Sequence, residues 1–503
     1  MSYLGIDVGT TGCKVAAFDQ NGKVLSASYR EYPLHHPQEG WLELDADEVF
    51  SCVEECLMEV SVSLHHDPPV SLALSAQGEA VVPVDKRKRV LAKSPVTFDR
   101  RGDDFVPFWE EKIGTERFFE ITGTTLSGIG TVNKILWWKR EMPEVMEKAR
   151  WFLCFEDFLM LRMGVEPVIN YPLAGRTMMF DVREESWSRE ILDIAGIEQE
   201  KLARPLPSGE LAGEVGNSFR EKMGWKEKVV IAAGAHDQPS GALGSGVIHP
   251  GLGMDATGTV ECIAPALPSL VLNPQMRENN LCSYHHAFPG LYITMIYNFT
   301  GGSILRWYRD TFARKEKELA REQGKDVYDI ILSDIPDKAT GLLVLPHFTM
   351  SGTPFFDSRS CGMVVGLKLD TGRGEFVRAL LEGISLEMKF NLELLRKAGV
   401  EVHTLRAVGG GARSSQWLQL KADIYGVPVE TLNISEAACL GAALLGRKAS
   451  ENIRDFSELV ESLVRVEGVC EPRPEMVARY QDIYQTYTRL YPALKKHIRP
   501  YGA

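Results

Sequence analysis

The chain has no apolar run long enough to cross a bilayer, which excludes a helical membrane span. It has no Cys-x-x-Cys pair, and its nine cysteines are scattered without a His/Cys cluster at zinc spacing. Reduced thiols are therefore expected rather than bridges or metal sites. It also lacks a net positive charge: 56 basic against 68 acidic side chains leave −12, which repels phosphate backbones and argues against nucleic acid as a partner. The one dense basic run, Lys86 to Arg89, lies between two apolar stretches and predicts a solvated hairpin turn. Neither a GxxxxGK[ST] loop nor a GxGxxG followed by a protein-kinase catalytic set is present, which removes both of those chemistries. The opening Met1 to Asp7 carries no basic segment followed by a long apolar one, so no export signal is read there and a cytoplasmic protein is expected.

What is present is a soluble globular composition, 44% hydrophobic and 25% charged, over 503 residues. That length exceeds one ordinary core and predicts two large domains, 1–246 and 247–503, joined by a short segment near residue 246. Tyr3 to Val8, Cys13 to Phe18 and Val24 to Tyr32 alternate as strands and predict an antiparallel meander, with Asn21-Gly22 as a type I′ turn. Asp45 with Glu48 starts a helix running to about His65, and Val70 to Ala76 resumes a strand, which together indicate an α/β architecture. A similar grammar returns 248 positions after Asp7, at Asp255 in Gly253 to Thr259, and hints at two related halves. Strand-like Leu291 to Phe299, helical Gly374 to Ala398 and the strand Thr404 to Val408 follow. A last long helix carries Tyr480, Tyr484, Tyr487, Tyr491 and Leu494 at helical spacing, a stripe that predicts core packing.

Three constellations could carry chemistry. Asp7-Val8-Gly9-Thr10-Thr11-Gly12-Cys13-Lys14 offers glycines for close approach, amides and hydroxyls as donors, a nearby cation, and a strand-end carboxylate able to hold Mg²⁺ directly or through water. An ordinary hairpin accounts for it equally well. The buried run Val229 to Ala235 ends in His236-Asp237-Gln238, a carboxylate where open α/β sheets bind ligands, with a helix cap as the simpler alternative. Ala407 to Ser415 places Gly409, Gly410 and Gly411 between a strand and a helix, and a tight turn alone seldom needs three glycines. The small-residue stretch Ser435 to Ala443 predicts a helix packed tightly beside that turn.

In this order, over nearly the whole chain, these segments resemble the FGGY carbohydrate kinases, a family that includes xylulokinases, glycerol kinases and gluconokinases. The resemblance implies an α/β fold of two ribonuclease H-like domains, as in the actin and sugar-kinase superfamily, with a cleft between them for ATP and sugar. It implies that Gly9, Thr10 and Thr11, with Lys14, form a first phosphate site, and Gly258 and Thr259 a second. Gly410, Gly411, Ala412 and Ser415 then form an adenosine site, and Gly301 and Gly302 add a further ATP contact. It places Asp7 at magnesium, Gln77, Gly78, Glu79 and Gln238 at the acceptor, and Asp237 as both acceptor contact and catalytic base. Thr97 to Arg101 is similar to a Trp-x-Asp-x-Arg region with Phe98 in place of the tryptophan. Lys134 to Trp137, and Gly362 to Leu367 with Leu381 to Gly383, resemble the two family signatures, where Ile129, Trp138 and Leu380 depart from the usual choices.

The expected activity is ATP- and Mg²⁺-dependent phosphorylation of a small sugar, a ketopentose such as xylulose first and a polyol or sugar acid second, with closure of the domains assembling the site. A nucleotide-driven switch of the same superfamily would lack an acceptor pocket and base, and a decayed sugar-binding regulator would lack Asp7 or Asp237. All of these residues are present. Self-association into a homodimer stays open.

Overall fold

The computed structural model describes residues 1–451 and 453–497. Two mixed sheets organise it. The first runs Leu211–Glu214, Val230–Ala232, Pro69–Ala76, Ser2–Val8, Gly12–Phe18, Val24–Glu31, with Ala235–His236 also paired to Pro69–Ala76. The second runs Tyr284–His285, Tyr292–Ile293, Glu261–Leu267, Leu252–Thr257, Thr404–Val408, Val429–Leu432, Val466–Cys470, with Ile296–Asn298 also on Glu261–Leu267. In each, a strand ending near an aspartate pairs antiparallel with its successor and parallel with a later strand, and the far edge closes antiparallel. The echo between Asp7 and Asp255 is thus a repeat of topology.

The opening meander forms as its alternation predicts, since Leu4, Ile6, Val8, Val15 and Ala17 all enter one core. Its turn differs from the expected type I′. Gly22 takes a positive φ of 75° while Asn21 does not, and the Asp19 side chain accepts from the Asn21 and Lys23 amides. An Asx-type closure with one left-handed glycine therefore replaces the two left-handed residues that type I′ requires. The basic run 86–89 is an exposed turn closed by the Asp85 amide on the Arg89 carbonyl. Leu291 to Phe299 is broken into Tyr292–Ile293 and Ile296–Asn298, which pair with successive parts of Glu261–Leu267. The final helix divides into Pro474–Tyr487 and Leu490–Leu494, and Tyr480, Tyr487 and Tyr491 are buried as core, their hydroxyls donating to Glu382, Glu387 and Asp357. All nine cysteines are free. No helix among the described residues is long and apolar enough to cross a membrane.

The small-residue helix Ala437–Ser450 is not beside the triple-glycine turn. It crosses back to the first sheet, lying against Ser2–Val8, Pro69–Ala76 and the helix Asp237–Gly244. Glycine makes this approach feasible: a Cβ on Gly5 would stand 1.8 Å from the Cys439 carbonyl oxygen, one on Gly244 1.8 Å from that of Ala437, and one on Gly441 1.9 Å from that of Ser240. The C-terminal half is thereby clasped to the strand carrying Asp7 and the helix that Asp237 begins.

Gly441→Val is expected to lower unfolding stability by about 3 kcal/mol or more, because backbone on both sides cannot yield to the added methyls. Equilibrium urea denaturation measures this, and wild-type stability would show that the clasp is looser than the contact distances require.

Candidate active site

Three neighbouring strands end together at one edge of the first sheet. Asp7 pairs in register with Ser75, and Ser75 in turn with Ala235 on the other side. Asp237, two residues beyond Ala235, opens the helix Asp237–Gly244 at the carboxyl ends of parallel strands, the usual ligand position of an open α/β sheet. One Asp7 oxygen accepts from Ser75 Oγ at 2.7 Å. Asp237 Oδ1 is buried without a hydrogen-bond partner; His236 Nε2 lies 3.1 Å away but is not aligned to donate. The Asp237 side chain as a whole keeps 32% exposure. Gln238 Oε1 likewise has no partner.

Burial pushes the Asp237 carboxyl up to about 7, and the negative charges of Asp7 and Glu79 add to the rise against Arg176 and the Gln238 amide. Burial raises Asp7 as well, opposed by Ser75 and Lys14. Two carboxylates held up in this way favour a divalent cation, which would relieve both. No group of three or more ligating side chains occurs among the described residues, and magnesium bound mainly through phosphate and water needs none.

The acceptor-side residues are brought together, with changed parts. Gln77 is buried and turned toward the Gly9 loop, its Nε2 donating to the Gly9 carbonyl and its Oε1 accepting from Thr10 Oγ1. It braces the Gly9 turn. Gly78 faces His236 and Arg176, to which a Cβ would come within 3.0 and 3.4 Å. Glu79 is buried in the left-handed region, φ 60°, with Lys134 and Thr131 donating to its carbonyl. Its carboxylate accepts from Arg176 Nε at 2.6 Å and Thr97 Oγ1 at 2.9 Å. Arg176 holds that carboxyl below its ordinary range despite the burial that opposes it. The carboxylate expected to meet an acceptor hydroxyl is thus ion-paired to Arg176. Arg176 went unread in the sequence because it lies 97 positions from Glu79 with no local motif to mark it. His236 is neutral, its pKa driven down to about 3 by burial and by Arg176, and its Nδ1 pairs with the Tyr284 hydroxyl at 3.0 Å.

In the Trp-x-Asp-x-Arg-like stretch, Asp99 and Arg101 form a buried bidentate pair, with the guanidinium over Trp41 and Trp137. Both are structural. Phe98 remains 48% exposed and meets Phe299 of the other half edge-on at 5.7 Å. The signature residues are also supports: Lys134 holds Glu79, and Glu382 accepts from Thr340, Arg378 and Tyr480.

In the second half a cavity of about 800 Å³ is walled by Thr257, Gly258, Thr259, Gly302, Gly410, Gly411 and Ser415, with Arg306, Tyr328, Arg413 and Trp417 adding walls the sequence reading missed. This volume suits a nucleotide. Gly409 has a φ of 83°, and a Cβ on Gly411 would be 2.6 Å from Thr257 Cβ, so the two glycines allow the strand ends to touch. Gly410 has only the Thr257 oxygen, at 4.0 Å, near its Cβ position. Gly301 lies behind the wall, against Val260, and Ala412 is not part of it. The Gly9 to Gly12 turn belongs to the first sheet beside Asp7, closed by the Gly9 amide on the Gly12 carbonyl and by Tyr32, whose hydroxyl donates to both carbonyls. Lys14, the ammonium expected to serve phosphate, is ion-paired to Glu436 at 2.8 Å.

Asp255, the topological counterpart of Asp7, is fully buried and bound by Lys421 at 2.7 Å. Lys421 also donates to Thr257 Oγ1, so this carboxylate anchors the second turn.

Comparison with known proteins bears on the family. Residues 2–244 match the N-terminal domain of the FGGY family of carbohydrate kinases and residues 257–450 its C-terminal domain. The chain is 28% identical over 494 residues to a xylulose kinase of Bacillus subtilis, covering 98% of this chain and 97% of that one. It is 26% identical over 496 residues to a gluconokinase of Bacillus licheniformis, covering 98% and 96%. A crystal structure described as a xyloylose kinase from Brucella ovis superimposes with a TM-score of 0.88 at 25% identity, over 99% of this chain and all of the other. With both family domains matched in order, the chain belongs to the FGGY family of carbohydrate kinases.

Proposed function

We propose that this kinase transfers the γ-phosphoryl group of ATP to a hydroxyl of a neutral sugar, a ketopentose such as xylulose, with Asp237 as the base. The observation that carries the reading is Asp237 itself: a carboxylate at a strand-end cleft, one oxygen without a partner, raised toward neutral pH beside Asp7. Asp237 would accept the acceptor proton as the hydroxyl oxygen attacks, and Gln238 Oε1 would orient a neighbouring hydroxyl. Asp7 would hold Mg²⁺, which supplies charge neutralisation at the phosphates when bound. The turns at Gly9 to Gly12 and Gly258–Thr259 present amides and hydroxyls to phosphate oxygens, and the Gly410 and Ser415 wall takes the adenosine. Residues 1–246 thus furnish the acceptor side and the later half the nucleotide side. Apposition of the halves, where Phe98 meets Phe299, would exclude competing water.

Charge favours a neutral acceptor over a sugar acid. Arg176 is the cation nearest the base, and Glu79 already neutralises it, while Asp7 and Asp237 would repel a carboxylate. Relatives named xylulose kinase support a ketopentose, while relatives named gluconokinase stand at similar identity, so the charge argument carries the choice; a polyol is the second reading because it is also neutral. ADP release measured against a panel of ketopentoses, polyols and aldonates is expected to give the highest kcat/KM with a ketopentose. An aldonate in first place would overturn the charge argument.

Asp237→Asn is expected to bind ATP and sugar within a few-fold of wild type yet to lose phosphoryl transfer by about 10²–10⁴, the usual general-base contribution. Single-turnover transfer with both ligands saturating measures this, and a wild-type rate would return Asp237 to a helix cap.

The pH dependence follows from the raised pKa. The ionised form is the active base, so kcat/KM falls as pH drops through the free enzyme's pKa, about tenfold per unit. That acid limb is expected well above the ordinary aspartate range, toward 7, because burial is the largest cause and persists even when a cation at Asp7 removes part of the charge repulsion. A limb near 4 would mean that the carboxylate is better solvated than its surroundings indicate.

Gly410→Val should weaken ATP binding about tenfold or more, since its side chain enters open cavity rather than protein. Isothermal titration on the folded variant checks it. Unchanged affinity would move the adenosine elsewhere.

A further inference from the structure

Glu156 plays no part in the chemistry above, yet it is a carboxylate without exposed surface whose bonds lead to both sides of the acceptor site. It lies in the helix Phe155–Arg162, and among the described residues no cation pairs with it. Burial pushes its carboxyl up to about 7 against three hydrogen bonds from amide groups.

The first bond comes from the Gly234 amide, 2.6 Å from Oε1. Gly234 sits in the break between Val230–Ala232 and Ala235–His236, both paired with Pro69–Ala76. A Cβ there would stand 1.8 Å from the Leu74 carbonyl oxygen, so the backbone is pressed against the neighbouring strand where its own ladder is interrupted. Glu156 supplies the missing acceptor. Three residues later the chain delivers Asp237.

The other two bonds come from the Asn170 amide, 3.1 Å from Oε2, and from its side-chain Nδ2. Asn170 in turn caps the helix Tyr171–Arg176, accepting from the Leu173 amide at 2.7 Å. That helix ends at Arg176, the partner of Glu79.

We propose that Glu156 is a positioning residue for phosphoryl transfer: through Gly234 and Asn170 it sets Asp237 and the Arg176–Glu79 pair in one fixed relation. It touches no substrate. The inference rests on Asp237 being the base, and it assigns the precision of the acceptor site to a single buried carboxylate hydrogen-bonded to both of two neighbouring segments. A displacement of either segment misplaces the base relative to the attacking hydroxyl, to which transfer is steeply sensitive, while the nucleotide cavity in the other half is untouched.

Glu156→Gln separates this role from packing. Glutamine keeps the shape and an acceptor for Gly234, but turns an NH₂ toward the two Asn170 donors. The holoenzyme variant is expected to fold, to lose kcat by at least about tenfold with a raised acceptor KM, and to keep ATP affinity within about twofold. The double variant Glu156→Gln with Asn170→Asp turns the side-chain contact back into a donor facing an acceptor while the Asn170 backbone amide stays opposed, and is expected to recover part of the lost kcat, at least about threefold. Rates are taken per folded enzyme, with thermal denaturation run in parallel. Wild-type kcat and acceptor KM in Glu156→Gln would overturn the proposal. So would a double variant that recovers none of the lost kcat, or a loss that weakens ATP and acceptor binding alike. Wild-type transfer by Asp237→Asn, by contrast, would remove the base assignment itself, whatever Glu156 does.

Discussion

Two carboxylates that raise each other's energy are brought to the end of one sheet, and much of the molecule serves to keep them there. Asp7 and Asp237 flank the strand Pro69–Ala76, each at the close of a neighbouring parallel strand, and burial opposes the ionisation of both. An isolated pair of this kind is a liability for folding. On the proposed function it is tolerable, because a divalent cation and a hydroxyl proton would each satisfy one member. The helix Ala437–Ser450 presses on both strand and helix with no side chain between backbones at Gly5, Gly244 and Gly441, which makes the position of the pair a property of the whole chain.

The two sheets share strand order and sense but use their matching aspartates in opposite ways. Asp7 stays half-buried and paired only to a hydroxyl, ready for a ligand. Asp255 is closed off by Lys421, which also holds Thr257 at the wall of the cavity of about 800 Å³. A buried and paired carboxylate is rigid, and rigidity suits a turn that cradles phosphate by its backbone. On the proposed function, one architecture, duplicated, would provide a chemical half and a binding half.

On the acceptor side, polar groups are arranged in successive shells of hydrogen bonds. Lys134 and Thr131 hold Glu79 in a backbone conformation that ordinary side chains avoid, Glu79 holds Arg176, and Glu156 ties the helix of Arg176 to the strand of Asp237. Such strain persists only where the surroundings over-determine it, and it is commonly found at functional sites. Within these shells the Arg176 guanidinium already has Glu79 as its counter-ion, which is the basis of the proposal of a neutral acceptor.

The sequence by itself determined the opening meander, the long helices, the buried tyrosine stripe and the glycine turns, because period, capping and left-handed or crowded glycines are local properties of the backbone. It also determined that Asp7 and Asp237 end buried strands and that Gly410 borders a turn, which made the bulk of the nucleotide wall and the two key carboxylates legible. Only the tertiary structure decided what each polar side chain finds opposite it. Gln77 turns to the Gly9 loop, Lys14 to Glu436 and Glu79 to Arg176, each across 67 or more positions of chain. The helix Ala437–Ser450 joins the first sheet rather than the turn nearest in sequence for the same reason: its small residues specify close packing, but the complementary surface of Gly5 and Gly244 exists only once the first half has folded. Local spacing encodes conformation, whereas the partner of a buried charge is set by which strands become neighbours.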